Sequence, residues 1–172
     1  MKKNFDIQSS KTPIMITKEY HTLTTEERTL LFEALDAAMK AHAPYSHFFV
    51  GAAIRMKNGD IISASNVENA AYPLGTCAER SAIVKANSEG RIKDIVAIAV
   101  IAYTEDGKGN TIEPTAPCGG CRQEIFEVFH LSGVDTEVII ADTKMTKVEI
   151  WKISELLPRG FGPNDLKKKI WD

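Results

Sequence analysis

The run Ile95-Val96-Ala97-Ile98-Ala99-Val100-Ile101-Ala102-Tyr103 is built almost wholly from β-branched residues and alanine. A half-exposed strand would alternate polar with apolar residues. An unbroken run marks a strand covered on both faces, at the centre of a sheet between helices. The flanking segments supply those helices. Residues 76–90 read as a helix ending on a left-handed glycine, Gly90. Another begins around Pro117-Cys118 and carries Ile125, Phe126, Val128 and Phe129. Upstream, Thr24 and Glu27 have capping-box spacing, and Leu31, Ala34, Leu35, Ala38 and Met39 recur at helical intervals to about His42. Pro44 ends that helix.

Strands complete the pattern. Residues 49–56 and 61–67 flank Asn58-Gly59, a strong hairpin signal, and the hairpin's far end delivers Asn66, Val67, Glu68 and Asn69 into a loop with Pro73 and Gly75. Residues 137–141 and 148–153 read as a fourth and a fifth strand, with a lysine-rich tail helix after Phe161-Gly162-Pro163. Helices alternating with five strands imply an α/β layered domain around a mixed sheet, spanning residues 24–172. Residues 1–23 read as an irregular polar N-terminal extension.

Composition narrows the function. The 172 residues suit one domain, and 44% hydrophobic with 26% charged residues is ordinary for a globular chain. Lys and Arg total 21 against 23 for Asp and Glu, so the basic excess of a nucleic-acid binder is missing. The longest apolar stretch, residues 95–102, is too short to cross a bilayer, and the first residues lack an apolar signal core. A cytoplasmic protein is the expectation.

Cys77, Cys118 and Cys121 carry the chemistry. An odd number of cysteines in a reducing compartment argues for metal binding or catalysis rather than a disulfide framework. Cys118-Gly119-Gly120-Cys121 puts two sulfurs on one side of a first helical turn, and Cys77 opens a different helix. Helix N-termini favour thiolate over thiol. Closed structural zinc sites use four protein ligands, whereas catalytic sites use three and keep a place for water. No fourth cysteine exists, so three thiolates point to catalysis. Glu79, two residues after Cys77, is placed for general acid/base work. Three thiolates exceed the charge of Zn²⁺, and Arg80 and Arg122 are the available cations, with Arg80 favoured as a donor to sulfur.

Plainer readings stand beside these. Thr76-Cys77-Ala78-Glu79 has capping-box spacing, so Glu79 could simply satisfy a backbone amide. A thiol–disulfide oxidoreductase could use the Cys118–Cys121 pair but leaves Cys77 and Glu79 idle. A zinc-stabilised interaction domain needs no Glu79.

Asn66-Val67-Glu68-Asn69-Ala70, Cys77-Ala78-Glu79-Arg80 and Pro117-Cys118-Gly119-Gly120-Cys121-Arg122-Gln123 together resemble the cytidine deaminases of pyrimidine salvage. Pro44-Tyr45-Ser46-His47-Phe48, Leu156-Leu157-Pro158 and Phe161-Gly162-Pro163 follow the same order, so the likeness spans most of residues 24–170. The resemblance implies a three-layer α/β/α domain and zinc held by Cys77, Cys118 and Cys121. It implies that zinc hydroxide attacks C4 of cytidine or deoxycytidine while Glu79 shuttles protons. Asn66 and Glu68 would hold the ribose 3′-hydroxyl, Phe48 would pack beside the base, and Ala78 would offer its backbone to the ring. Phe161 would reach into a neighbour's site, in a homotetramer with shared active sites. Residues 66–76 contain no Lys or Arg, which favours a nucleoside over a nucleotide. A relative acting on another aminated base, such as blasticidin, shares the zinc residues but fits the Asn66/Glu68 pair and the Phe161 segment less well.

Overall fold

The computed structural model describes residues 16–104, 111 and 113–166. The expected tail helix lies outside these, as does much of the loop before Pro117. The strands are β1 (Ile16–Lys18), β2 (Phe48–Met56), β3 (Ile61–Ser65), β4 (Ile95–Thr104), β5 (Glu137–Ala141) and β6 (Val148–Lys152). The α-helices are α1 (Thr25–Ala38), α2 (Ala78–Ser88), α3 (Gly119–Ser132) and the single turn α4 (Ile153–Leu156). They form one mixed sheet of order β1-β6-β5-β4-β2-β3, in which only β4 and β5 pair in parallel.

The sheet has six strands among the described residues, not the expected five. The addition is β1, in the segment read as irregular, which pairs antiparallel with β6 through Ile16–Ile150 and Lys18–Val148. Three residues, Ile16-Thr17-Lys18, are too few to show a period; their conformation comes from the edge that β6 offers.

The central run behaves as its composition demands. β4 lies between β2 and β5, and its alternate residues feed two cores. Ile98 and Val100 join α2 and α3 on one face, and Ala97, Ala99 and Ile101 join α1 on the other. This is the three-layer α/β/α arrangement. On α1 the buried stripe is Leu30, Leu31, Ala34, Ala37 and Ala38, while Met39 is exposed, so the helix is rotated slightly from the expected face. Its backbone presses directly on β2: a Cβ on Gly51 would stand 1.9 Å from the Ala34 carbonyl oxygen and 2.4 Å from the Ala38 amide nitrogen.

Topology also decides where the site forms. Because β2 is antiparallel to both β3 and β4, those two strands point the same way. The helices that follow them, α2 and α3, therefore both open at the same end of the sheet, beyond the carboxyl ends of the strands.

Candidate metal centre and substrate cavity

Cys77 is the N-cap of α2 and Cys118 the N-cap of α3, both with extended backbone angles. Cys121 lies in the first turn of α3 and is buried. Their sulfurs all lie within 4.8 Å of one another. Three ligands on one tetrahedral zinc, at the usual zinc–sulfur length, stand about 3.8 Å apart, so small side-chain adjustments suffice to hold an ion.

The electrostatics ask for a cation. The Cys121 amide, at a helix start, draws the Cys118 thiol below its ordinary value. Burial, and then the nearby Glu79 and Cys77, push the Cys121 thiol far up; burial also raises Cys77. Three thiolates beside a carboxylate repel one another unless a divalent ion joins them. The donor set fits Zn²⁺.

Glu79 sits in the first turn of α2 with 4% of its surface exposed. Burial pushes its carboxyl above the usual carboxylate range, opposed by its own backbone amide and the Cys121 thiol. The capping-box alternative does not form, because Cys77 rather than Thr76 is the N-cap. Arg80, expected to donate to sulfur, places its Nε 3.4 Å from Glu124 Oε1, and both side chains are well exposed. Arg122 binds its own helix start: Nε donates to the Pro117 carbonyl at 2.9 Å and Nη1 to the Leu156 carbonyl at 3.4 Å.

A cavity of about 310 Å³ opens beside the sulfurs, lined by Cys77, Cys118 and Glu79 together with Phe48, Asn66, Glu68 and Ala78. Backbone bonds hold the stretch after β3 in place. The Glu68 amide donates to the His42 carbonyl at 2.8 Å, and Val67 pairs both ways with Thr76 at 2.9 Å. The segment after α1 and the residues just before α2 thus clasp the stretch that bears Asn66 and Glu68. Phe161 lies on the loop after α4, 58% exposed, where its carbonyl oxygen accepts Gln123 Nε2 at 2.7 Å.

Sequence reasoning left Ser46, Val50 and Tyr72 of the lining without a role. Val50 was within reach, since it follows Phe48 by two on one strand face. Ser46 stands in the quoted Pro44–Phe48 motif, two residues before an amide its hydroxyl can accept. Tyr72 carried no usable signal.

Comparison with known proteins agrees with this geometry. Residues 24–134 match the family described as the cytidine and deoxycytidylate deaminase zinc-binding region. A cytidine deaminase of Halalkalibacterium halodurans is 45% identical over 82% of this chain and 98% of its own length. One from Mycobacterium tuberculosis is 33% identical over 79% of this chain and 90% of its own. The crystal structure of a cytidine deaminase from Burkholderia pseudomallei superposes with a TM-score of 0.69 at 38% identity, covering 81% of this chain and all of that one. With three clustered cysteines at two helix starts, a buried glutamate beside them and a match over residues 24–134, the chain belongs to the zinc-dependent cytidine and deoxycytidylate deaminase family of enzymes.

Proposed function

We propose that the protein hydrolyses the exocyclic amine of cytidine and 2′-deoxycytidine, releasing ammonia and uridine or 2′-deoxyuridine, in cytoplasmic pyrimidine salvage. The observation that carries this reading is the burial of Glu79 at the wall of a nucleoside-sized cavity, beside three sulfurs within 4.8 Å of one another. Cys77, Cys118 and Cys121 would hold the zinc, which would supply Lewis acidity for activating water at neutral pH.

Glu79 moves the protons. Its carboxylate takes one from the water attacking C4 and delivers it to ring N3, where it stays in the product. A second proton, from the same oxygen, passes through Glu79 to the amine, which leaves as ammonia. Burial raises this carboxyl, which favours its acting as a proton donor as well as an acceptor.

The remaining residues orient the nucleoside. Phe48 packs beside the base, the Ala78 backbone meets the ring, and Asn66 with Glu68 holds the 3′-hydroxyl. Arg80 and the positive ends of α2 and α3 offset thiolate charge; an exposed ion pair such as Arg80–Glu124 is cheap to exchange. Tyr45, Val67, Tyr72 and Leu74 are all exposed, and the two tyrosines pair edge to face at 5.9 Å. Exposed apolar side chains of this kind favour association between copies, and in the proposed homotetramer Phe161 of one copy reaches a neighbour's cavity.

Zinc content and cytidine-dependent ammonia release, measured on one preparation, test the reading. About one zinc per chain and ammonia equal to uridine are expected. Absence of metal, or of turnover on both nucleosides, overturns it. Turnover of blasticidin equal to that of cytidine would assign the site to a different aminated base.

A further inference from the structure

The Ser46 hydroxyl links two segments that line the cavity. Its O–H donates to Glu68 Oε1, and the same Oγ accepts the Phe48 amide at 3.1 Å. Glu68 Oε2 accepts two further donors, the amides of Tyr45 at 2.9 Å and Ser46 at 3.2 Å. The chain can fold back this tightly because His47 adopts a left-handed conformation, φ 53°, which histidine tolerates better than most residues. Ser46 and Glu68 both line the cavity, and so does Phe48.

Counting lone pairs turns this into a statement about the ligand. A carboxylate offers about four acceptor positions, and Ser46 Oγ with two amides fills three, leaving about one. Ser46 first, and then the Tyr45 amide, hold the Glu68 carboxyl below its usual range, so the group carries charge at neutral pH and has no proton to give. What it takes at the remaining position must be a donor. A sugar hydroxyl satisfies it, whereas an ether oxygen, a phosphate oxygen or a bare methylene does not.

We infer that Ser46 is a specificity-determining positioning residue: it confines Glu68 to one open acceptor position and ties that position to the Phe48 backbone, so that the site demands a hydroxyl donor in fixed register with the base. The inference rests on the reading of this cavity as a nucleoside site with Asn66 and Glu68 at its sugar end. A residue that only stabilised the Pro44–Phe48 turn would affect every substrate alike. One that acts through Glu68 changes the ratio between substrates with and without the hydroxyl.

The test compares kcat/KM for cytidine and 3′-deoxycytidine in the wild type, Ser46→Ala and Ser46→Thr, each loaded with zinc. The wild type should prefer cytidine by more than about a hundred-fold, because a built polar site left unpaired is costly. Ser46→Ala should reduce that preference by about ten-fold, the size of one charge-assisted hydrogen bond, chiefly through a higher KM for cytidine. Ser46→Thr, which keeps the hydroxyl, should hold the preference within about three-fold. If the wild type discriminates and Ser46→Ala does so equally well, the hydroxyl serves only the turn and the inference is wrong. Equal loss in Ser46→Thr would trace the effect to a disturbed turn and overturn it too. A wild type that accepts both nucleosides equally removes the sugar reading itself, and the role of Ser46 with it.

Discussion

Asn66 fastens itself to Phe48: Nδ2 donates to the Phe48 carbonyl oxygen at 3.0 Å, while Oδ1 accepts the Val50 amide at 2.8 Å. The Asn66 amide also donates to the Val50 carbonyl at 3.0 Å. The residue beyond the end of β3 thus extends the β2 ladder with its side chain, and one N–H and a lone pair remain for a ligand. In the proposed nucleoside site, the residue assigned to the sugar and the aromatic assigned to the base are therefore mechanically one unit. Asn66→Ala leaves a partly buried donor and acceptor unpaired, at a cost of about 1–3 kcal/mol. We expect a lower urea midpoint with an unchanged slope, and kcat/KM reduced by more than about ten-fold as Phe48 loosens. Stability equal to the wild type would show that these backbone groups find other partners.

Glu79→Gln keeps the shape of a buried side chain and removes its ability to exchange protons. The sulfurs are untouched, so zinc should stay bound, and a neutral amide has no charge to desolvate, so the thermal midpoint should not fall. Ammonia release should drop by about 10²–10⁴-fold, the usual weight of a positioned general acid/base. The measurement pairs single-turnover ammonia release with metal content. Near-normal turnover in a zinc-replete variant would exclude Glu79 as the proton carrier.

Much of this was legible in the sequence, for identifiable reasons. The β4 run has a composition that only a doubly covered strand explains, and Pro117 and Thr76 announce the helix starts at which two cysteines cap. A pair of cysteines three residues apart on one turn is local geometry. What escaped depends on which segments meet in space. β1 owes its conformation to β6, and the rotation that exposes Met39 follows from how closely α1 settles on Gly51. Arg80 found Glu124 across two helices, and the hydroxyl of Ser46 found a carboxylate 22 residues further along. Spacing within one segment carries none of these contacts.

Gly51→Ala tests the closest approach in the fold. The added methyl would lie 1.9 Å from a carbonyl oxygen of α1, and backbone on both sides cannot yield as a flexible side chain would. Overpacking of this kind costs about 1–3 kcal/mol or more, which for a chain of this length lowers the melting midpoint by several degrees. Gly120→Ala is the control. Its Cβ would stand 3.9 Å from the Cys118 sulfur, an ordinary contact, and alanine favours the helix by about 1 kcal/mol. Calorimetry of the two should give shifts of opposite sign; a stable Gly51→Ala would mean that α1 can slide off β2.

Glu27 links β1 to α1 and gives stability a specific pH dependence. Its Oε1 accepts Lys18 Nζ at 2.7 Å, and its Oε2 accepts the Thr24 amide at 2.8 Å as half of a capping box. Burial alone would push this carboxyl up. Lys18 and Thr24 together outweigh it and hold the group below its ordinary value of 4.5. A carboxyl with a lower pKa in the folded chain binds its proton more readily when unfolded. Its contribution is therefore complete above the unfolded value and fades as pH falls through the folded one. Glu27→Gln should lower stability by about 0.5–1 kcal/mol near neutrality, as expected for one exchanged ion pair beside a cap. Urea unfolding at about pH 7 and about pH 3 should show that difference shrinking toward zero in acid. A gap of constant size at both values would mean that the charge on Glu27 does not couple β1 to α1.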